Sequence, residues 1–337
     1  MFFTASEEPT EIHVWSCASG AHGDGLDGAV RVSTAPGVHT ASVGGPTVVL
    51  VSMPPDGRSV TVPRDGAPVG RIAVLAETPL ATPRPLALSL GGRELRSRLY
   101  LPPWHRPGDA PLPVLLSPYA GHGMQVVLKR CAPGGSRSPS GSPSRVSPCW
   151  SRIGRGTPGR KEAWEKSVYA DRLTAVLEDR IDALRAAAAR FPALDPTRVA
   201  IHGWSFGGYL AAAAVLRHPE VFHAAVAGGA PTDRRLYDTH WEERFLGHPE
   251  VIPENYERSS PLSEAAGLTR LLMLVHGLAD DNVAIAHMLR FSAALPAAGR
   301  PHTVLPLSGA GQPATQESLG CGDRGGRRGY PGGARKA

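Results

Sequence analysis

The sequence predicts an α/β protein in which a mostly parallel, doubly wound sheet follows a β-rich N-terminal segment. Three observations carry that expectation. Short β-rich runs bounded by turn residues recur through residues 1–80. From residue 112 onward, apolar runs alternate with helical patterns, as strand–helix–strand crossovers require. A tight glycine-flanked serine turn, Gly203-Trp204-Ser205-Phe206-Gly207, stands between one of those runs and the helical pattern after it.

In chain order, EIHVW, TVVLV, SVTVP and RIAVL read as strands whose spacing suits a β-meander, part of a propeller or of a sandwich. Residues 16–29 are glycine-rich and read as a long loop. ALSLGGRELRSRLYLPP is a hairpin, and LPVLLSPYA (112–120) is a short apolar run of the kind buried in parallel sheets. VLEDRIDALRAAAARF (176–191) is helical, with Val176, Ile181, Leu184 and Ala188 near one face. RVAIHGWS is a strand and turn, FGGYLAAAAVLRHP a helix and VFHAAVAGGAP a strand. A helical patch at 238–246, the strand LLMLVHG, a helix at 284–298 and the strand HTVLPL complete the order. Parallel strands are therefore expected at 112–117, 198–203, 222–228, 270–276 and 302–307.

Two stretches break this rhythm. CAPGGSRSPSGSPSRVSPC (131–149) is low-complexity and aperiodic, where the alternation calls for a helix and a buried strand. The end, 310–337, is rich in glycine and arginine with no apolar pattern. The division expected is residues 1–80 as a β unit, 81–309 as the α/β domain with an aberrant insert at 129–153, and 310–337 as a disordered basic tail. The serine, proline, glycine and arginine bias of both stretches matches GC-rich coding DNA read out of frame; a genuine insertion and tail is the alternative.

Composition narrows the function. Of 337 residues, 42% are hydrophobic, enough for a sizeable core. No run approaches the roughly 18 apolar residues of a membrane-spanning helix. The opening MFFTASEEPTEIHVW lacks the basic-then-apolar pattern of an export signal, so a cytoplasmic location is expected. The net charge is +6, which invites a nucleic-acid reading. Residues 129–155 carry +6 and residues 310–337 carry +3, leaving −3 for the rest. The basicity belongs to the two odd stretches, so no nucleic-acid partner and no membrane are expected. The cysteines at 17, 131, 149 and 321 form no Cys-x-x-Cys pair, so neither a zinc site nor another metal or cofactor is expected.

The chemistry-bearing residues sit at strand ends. A Gly-x-Ser-x-Gly turn between strand and helix is a nucleophile elbow: small flanking residues let the turn close, and the serine hydroxyl is held clear of the backbone. The helix N-terminus and the amide of Phe206 can stabilise an oxyanion there. His276-Gly277-Leu278-Ala279-Asp280-Asp281-Asn282-Val283 follows the strand LLMLV. A carboxylate at that place, 75 residues after the serine, fits the Ser…Asp…His order of α/β hydrolases. The same residues also suit a turn that caps the next helix, and both readings can hold.

GWSFGGYLAAAAVLRHPEVFHAAVAG, YDTHWEERFLGHPE and HGLADDNV together resemble the prolyl oligopeptidase family of serine peptidases, nearest its dipeptidyl-peptidase IV branch. The resemblance covers roughly residues 1–120 and 154–309. It implies an α/β-hydrolase fold with a mostly parallel sheet, preceded by the β-rich remnant of a β-propeller in residues 1–80. By the resemblance, Ser205 is the nucleophile and Asp280 the triad acid. Tyr119 and the amide of Phe206 form the oxyanion hole. Phe206, Trp241 and Phe245 match aromatic positions around the substrate pocket, and Asn282 matches a residue that binds a substrate carbonyl. The aromatics equally suit ordinary core. A peptide substrate and a homodimer, as in the family, are the implied partners.

The departures are as specific. Arg234 stands where the family has a pocket tryptophan, placing a charge in an apolar pocket. Gly121-His122 replaces the usual Gly-Pro, and Ile153 replaces an aspartate before Gly-Arg-Gly. No histidine follows His302, although the triad base belongs in the loop after TVLPL. His302 and His287 come after Asp280 in chain order but on other segments. The expectation is a serine peptidase with impaired turnover; a carboxylesterase-like acyl hydrolase and a non-catalytic binding remnant are the alternatives.

Overall fold

The computed structural model of the chain describes residues 1–17, 28–64, 67–75, 85–119, 124–130, 149–152 and 154–312. Two small antiparallel sheets open it. Strands β1 (Phe2–Ala5), β2 (His13–Ser16) and β3 (Val30–Arg31) make the first. Strands β4 (Val38–Gly44), β5 (Thr47–Met53), β6 (Ser59–Arg64) and β7 (Ala67–Ile72) make the second, a meander in chain order. The β4–β5 hairpin closes on Gly45-Pro46, with Gly45 at φ 55° and Gly44 opposite Thr47. EIHVW, TVVLV and SVTVP lie in β2, β5 and β6, whereas RIAVL stays in β7 only to Ile72. These antiparallel sheets fit the β-rich, propeller-like segment expected in front of the hydrolase sheet.

The large sheet begins with the hairpin β8 (Leu86–Leu90) and β9 (Leu95–Tyr100), followed by β10 (Leu112–Leu116) and β11 (Cys149–Arg152). Helices α1 (Glu162–Lys166) and α2 (Thr174–Arg190) lead to β12 (Leu194–Trp204), α3 (Phe206–Arg217) and β13 (Ala224–Gly228). Then come α4 (Thr239–Leu246), α5 (Pro253–Arg258), β14 (Leu271–Gly277), α6 (Ala286–Ala297) and β15 (Thr303–Leu307). The spatial order is β15-β14-β13-β12-β10-β11-β9-β8. Strands β10 to β15 run parallel, and β8 and β9 add an antiparallel edge. This is the α/β-hydrolase fold, and β10, β12, β13, β14 and β15 lie at the five places the sequence predicts.

The segment 129–153 departs from expectation at its end. An irregular course was expected through residue 153, yet Cys149–Arg152 forms β11, interior to the sheet. It pairs parallel to β10 (Leu116↔Trp150) and antiparallel to β9 (Trp150↔Leu99). A strand here joins the antiparallel hairpin to the parallel strands. Residues 131–148, and the expected basic tail from 313 to 337, lie outside the described residues.

The core sits between the sheet and its helices. Ala211 to Ala214 on α3 are fully buried, and their small side chains let the helix lie close on β12 and β13. On α2, Val176, Leu177, Ile181 and Leu184 are buried. Each such aliphatic side chain contributes roughly 1.5–3 kcal/mol. Ala187 rather than Ala188 completes that stripe; Ala188 is only half-buried. Among the described residues no helix is long and apolar enough to cross a membrane.

Candidate active site

Strand β12 ends at Trp204 and α3 starts at Phe206, so one residue makes the turn. Ser205 adopts φ 55° and ψ −123°, a conformation that costs a non-glycine residue about 1–3 kcal/mol. The surroundings fix it. Its N–H donates to Gly228 O at 2.8 Å, and its carbonyl accepts from Tyr209 N at 2.9 Å. A Cβ on Gly203 would collide with the Gly207 backbone, and one on Gly207 would lie 2.6 Å from Pro118 O. The glycines around the serine are thus set by close approach of three backbone segments.

Two donors converge above the serine. Tyr119 follows β10; burial pushes its phenol pKa up, and a hydrogen bond with the Ser205 side chain works against that shift. Its ring lies 6.3 Å from that of Phe206. The Phe206 amide is the first of the 12-residue helix α3, at the positive end of the helix dipole. A carbonyl oxygen brought to Ser205 could meet both groups as negative charge develops on it.

Asp280 lies just beyond the end of β14 and is 8% exposed. Its Oδ1 accepts from the amides of Asn282 (3.0 Å) and Val283 (2.8 Å), and its Oδ2 lies 3.6 Å from His276 Nε2. The capping reading and the acid reading therefore fall on the same residue: Oδ1 holds the turn, and Oδ2 faces His276 Nε2. Asn282 Oδ1 accepts from the Tyr237 hydroxyl at 3.0 Å.

The histidines are engaged elsewhere. His276 is buried and donates through Nε2 to Val283 O at 2.8 Å. His287 is buried, faces the Asp233 amide through Nδ1 at 3.4 Å, and has its pKa lowered to about 4 by burial and by Arg234. His302 Nε2 pairs with Ser292 Oγ at 2.8 Å. Among the described residues, no histidine hydrogen-bonds Ser205.

A glutamine does. After β15 the chain folds back over the end of β14: Leu278 N donates to Leu307 O and Ala279 N to Ala310 O, both at 3.0 Å. Gly277 admits this approach, since a Cβ there would strike the Ala310 carbonyl. Trp204 Nε1 donates to Gln312 O at 2.6 Å. The hydrogen-bonding partners fix the Gln312 amide with its NH2 toward the carboxylate. The NH2 then donates to Asp280, 3.0 Å from Oδ1 and also in contact with Oδ2, and Oε1 accepts from Ser205 Oγ at 2.9 Å. Sequence reasoning searched this loop only for an imidazole and passed over the amide.

The pocket side holds a second surprise. Trp241 and Phe245 on α4 stack edge-on at 5.6 Å, and Phe245 packs with Leu246 and Tyr256. The aromatics enclose charge. Glu242, 1% exposed, bridges Arg172 Nη1 at 2.6 Å and Arg234 Nη1 at 3.0 Å. The Arg234 guanidinium lies 3.6 Å from the Tyr209 ring centroid and 5.3 Å from that of Phe206; Arg172 lies 5.0 Å from that of Phe245. Burial and the neighbouring Arg234 lower the Arg172 pKa to about 10. Burial also works against the charge on Arg234, but Tyr209 and Glu242 outweigh it and raise its pKa. The expectation of a bare charge among apolar side chains is corrected: Glu242 neutralises it, and Arg172 joins it. Glu242, next to Trp241 in the Trp-Glu-Glu run, was the legible signal.

The fold and the elbow define an α/β-hydrolase. Residues 153–311 match the model of the prolyl oligopeptidase family. It is 36% identical over 129 residues to human dipeptidyl peptidase 8, an alignment covering 37% of this chain and 14% of that protein. It is 33% identical over 143 residues to Caenorhabditis elegans dipeptidyl peptidase family member 2, covering 42% and 17%. The crystal structure of Porphyromonas gingivalis dipeptidyl peptidase 4 superposes with a TM-score of 0.81 at 25% identity, over 92% of this chain and 45% of that one. The chain spans less than half the length of these relatives.

Proposed function

We propose that this chain is a serine-type peptidase unit of the dipeptidyl-peptidase kind whose turnover is impaired. In this reading Ser205 attacks a peptide carbonyl, Tyr119 and the Phe206 amide hold the oxyanion, and Asp280 is the triad acid. Trp241, Phe245 and Asn282 contact the peptide. The observation that carries the reading is the strained Ser205 turn, with its hydroxyl separated from the Asp280 carboxylate by a single side chain. The relatives named dipeptidyl peptidase support the substrate class. The impairment is supported by the engagement of His276, His287 and His302 away from Ser205. A triad lacking one member keeps roughly 10³–10⁴-fold over water, against about 10⁶ lost.

A small-acyl esterase is the second reading, favoured by the Arg172–Glu242–Arg234 cluster among the pocket aromatics. The test uses a fluorophosphonate label, Gly-Pro-p-nitroanilide and p-nitrophenyl acetate on the wild type and Ser205→Ala. Labelling that Ser205→Ala abolishes, with barely measurable anilide hydrolysis, is the expected result. Labelling that survives Ser205→Ala would overturn the assignment of the nucleophile, and fast anilide turnover would overturn the impairment.

A further inference from the structure

We infer that Gln312 occupies the position of the proton-transfer base between Ser205 and Asp280. There it restricts the site to acyl donors whose leaving group needs no proton. The inference rests on the proposed role of Ser205 and goes beyond it, because it names the residue that decides which bonds the serine can break.

The geometry is that of a relay. Gln312 Oε1 accepts from Ser205 Oγ at 2.9 Å, and its NH2 donates to Asp280, whose Oδ1 is 3.0 Å away. An imidazole serving as base makes the same two contacts, one nitrogen on the serine hydroxyl and an N–H on the carboxylate. The amide reproduces the acceptor and the donor. It cannot reproduce the chemistry, because a neutral amide oxygen takes no proton at physiological pH and its nitrogen gives none up.

The position is built. Gln312 is tied by its own carbonyl to Trp204 Nε1 at 2.6 Å, one residue before the nucleophile. The preceding turn hangs on the Asp280 loop through Ala279 N to Ala310 O at 3.0 Å. The side chain is thus referenced to both groups that it bridges, which keeps the serine hydroxyl and the carboxylate in register without a base.

The consequence depends on the leaving group. With p-nitrophenyl acetate, the Ser205 Oγ–carbonyl carbon bond forms, the hydroxyl proton goes to solvent, and the carbon–oxygen bond breaks to release p-nitrophenolate. That anion departs without a proton. With a peptide or an anilide, the carbon–nitrogen bond breaks only as the nitrogen is protonated, and among the described residues no imidazole stands at Ser205 to deliver the proton. The wild-type chain is therefore acylated slowly by activated esters, phosphonylated slowly by fluorophosphonates with loss of fluoride, and cleaves amides only barely measurably.

The experiment compares wild type, Gln312→His and Gln312→Ala, each also with Ser205→Ala, using p-nitrophenyl acetate and Gly-Pro-p-nitroanilide across pH 5–9. Gln312→His should raise Ser205-dependent ester cleavage by about 10²-fold or more, the usual size of general acid–base catalysis. The gain on the anilide should be at least as large. The rate should acquire a limb near the ordinary histidine pKa of about 6.5, which wild type and Gln312→Ala lack. A folded Gln312→His chain with no gain and no such limb overturns the inference. If the label still reacts at Ser205, the nucleophile assignment survives that failure; if it does not, both fall.

A second measurement does not depend on how Gln312→His folds. The side-chain amide resonances of Gln312, identified by their loss in Gln312→Ala, should move in both Ser205→Ala and Asp280→Asn. Resonances indifferent to both substitutions would show that the amide bridges nothing.

Discussion

Glu242→Gln keeps the volume of a buried side chain and removes its charge. The carboxylate lies 2.6 Å from Arg172 and 3.0 Å from Arg234, and all three side chains are about 1% exposed. At an effective dielectric near 20, each contact attracts by about 5.5–6.5 kcal/mol before desolvation is counted. Most of that gain is offset by taking the ions out of water, so the intact cluster adds little net stability. The broken one is different: two guanidinium groups remain buried without the carboxylate that both engage, which costs about 3–5 kcal/mol. Urea unfolding followed by circular dichroism should show a fall of that size in the free energy of unfolding. Adding Arg234→Met removes one stranded charge and should recover about 2 kcal/mol or more, a coupling that a double-mutant cycle reads directly. A Glu242→Gln variant within about 0.5 kcal/mol of wild type, the usual range for an unremarkable surface change, would refute the account of the cluster as a counter-charged triad.

Three other outcomes are expected. His287, buried beside Asp233, Arg234 and His276, has its pKa lowered from 6.5 to about 4, so the folded state favours the neutral ring. Its contribution is complete above pH 6.5 and is lost as pH falls toward 4, reaching about 3 kcal/mol; His287→Gln should flatten that limb in pH-dependent unfolding. Arg180 is fully buried on α2, and its guanidinium hydrogen-bonds no group among the described residues. Arg180→Met should therefore raise stability by about 1–3 kcal/mol, measured by urea midpoint, and a loss would mean that the neighbouring Asp179 carboxylate, which favours the charge, offsets its burial. Gly207→Ala places a methyl 2.6 Å from Pro118 O, one residue from Tyr119. It should destabilise by about 1–3 kcal/mol and lower fluorophosphonate labelling of Ser205 more than Gly299→Ala lowers it.

The parallel half of the sheet was legible because each strand is a short apolar run set between helical periods, and the elbow because glycine is required where backbones touch. Strand β11 was not, since Cys149–Arg152 ends a low-complexity stretch and is called into the sheet by β9 and β10 rather than by its own pattern. Asp280 was singled out by its place after LLMLV. The double duty of its two oxygens follows from the tight turn to Val283, which residue order alone does not reveal. Arg234 was recognised as a misplaced charge, but the charge was balanced only when α4 brought Glu242 round to face it. Gln312 escaped because a search by residue type asks for the expected chemistry, whereas the fold supplies a position that another side chain can fill.

The bond from Trp204 to Gln312 spans 108 residues of sequence. During synthesis the elbow, its helix and the Asp280 turn all emerge before the residue that links them. Until then the Trp204 indole N–H and the outer face of the Asp280 carboxylate must be served by water, and the centre is an open socket in an otherwise assembled sheet. Closing a loop of that length adds entropy cost only logarithmically, so the late arrival hardly weakens the final state. It does fix an order of events: the site is the last part of the described chain to mature, and a stalled nascent chain would display the serine before anything sits between it and its carboxylate.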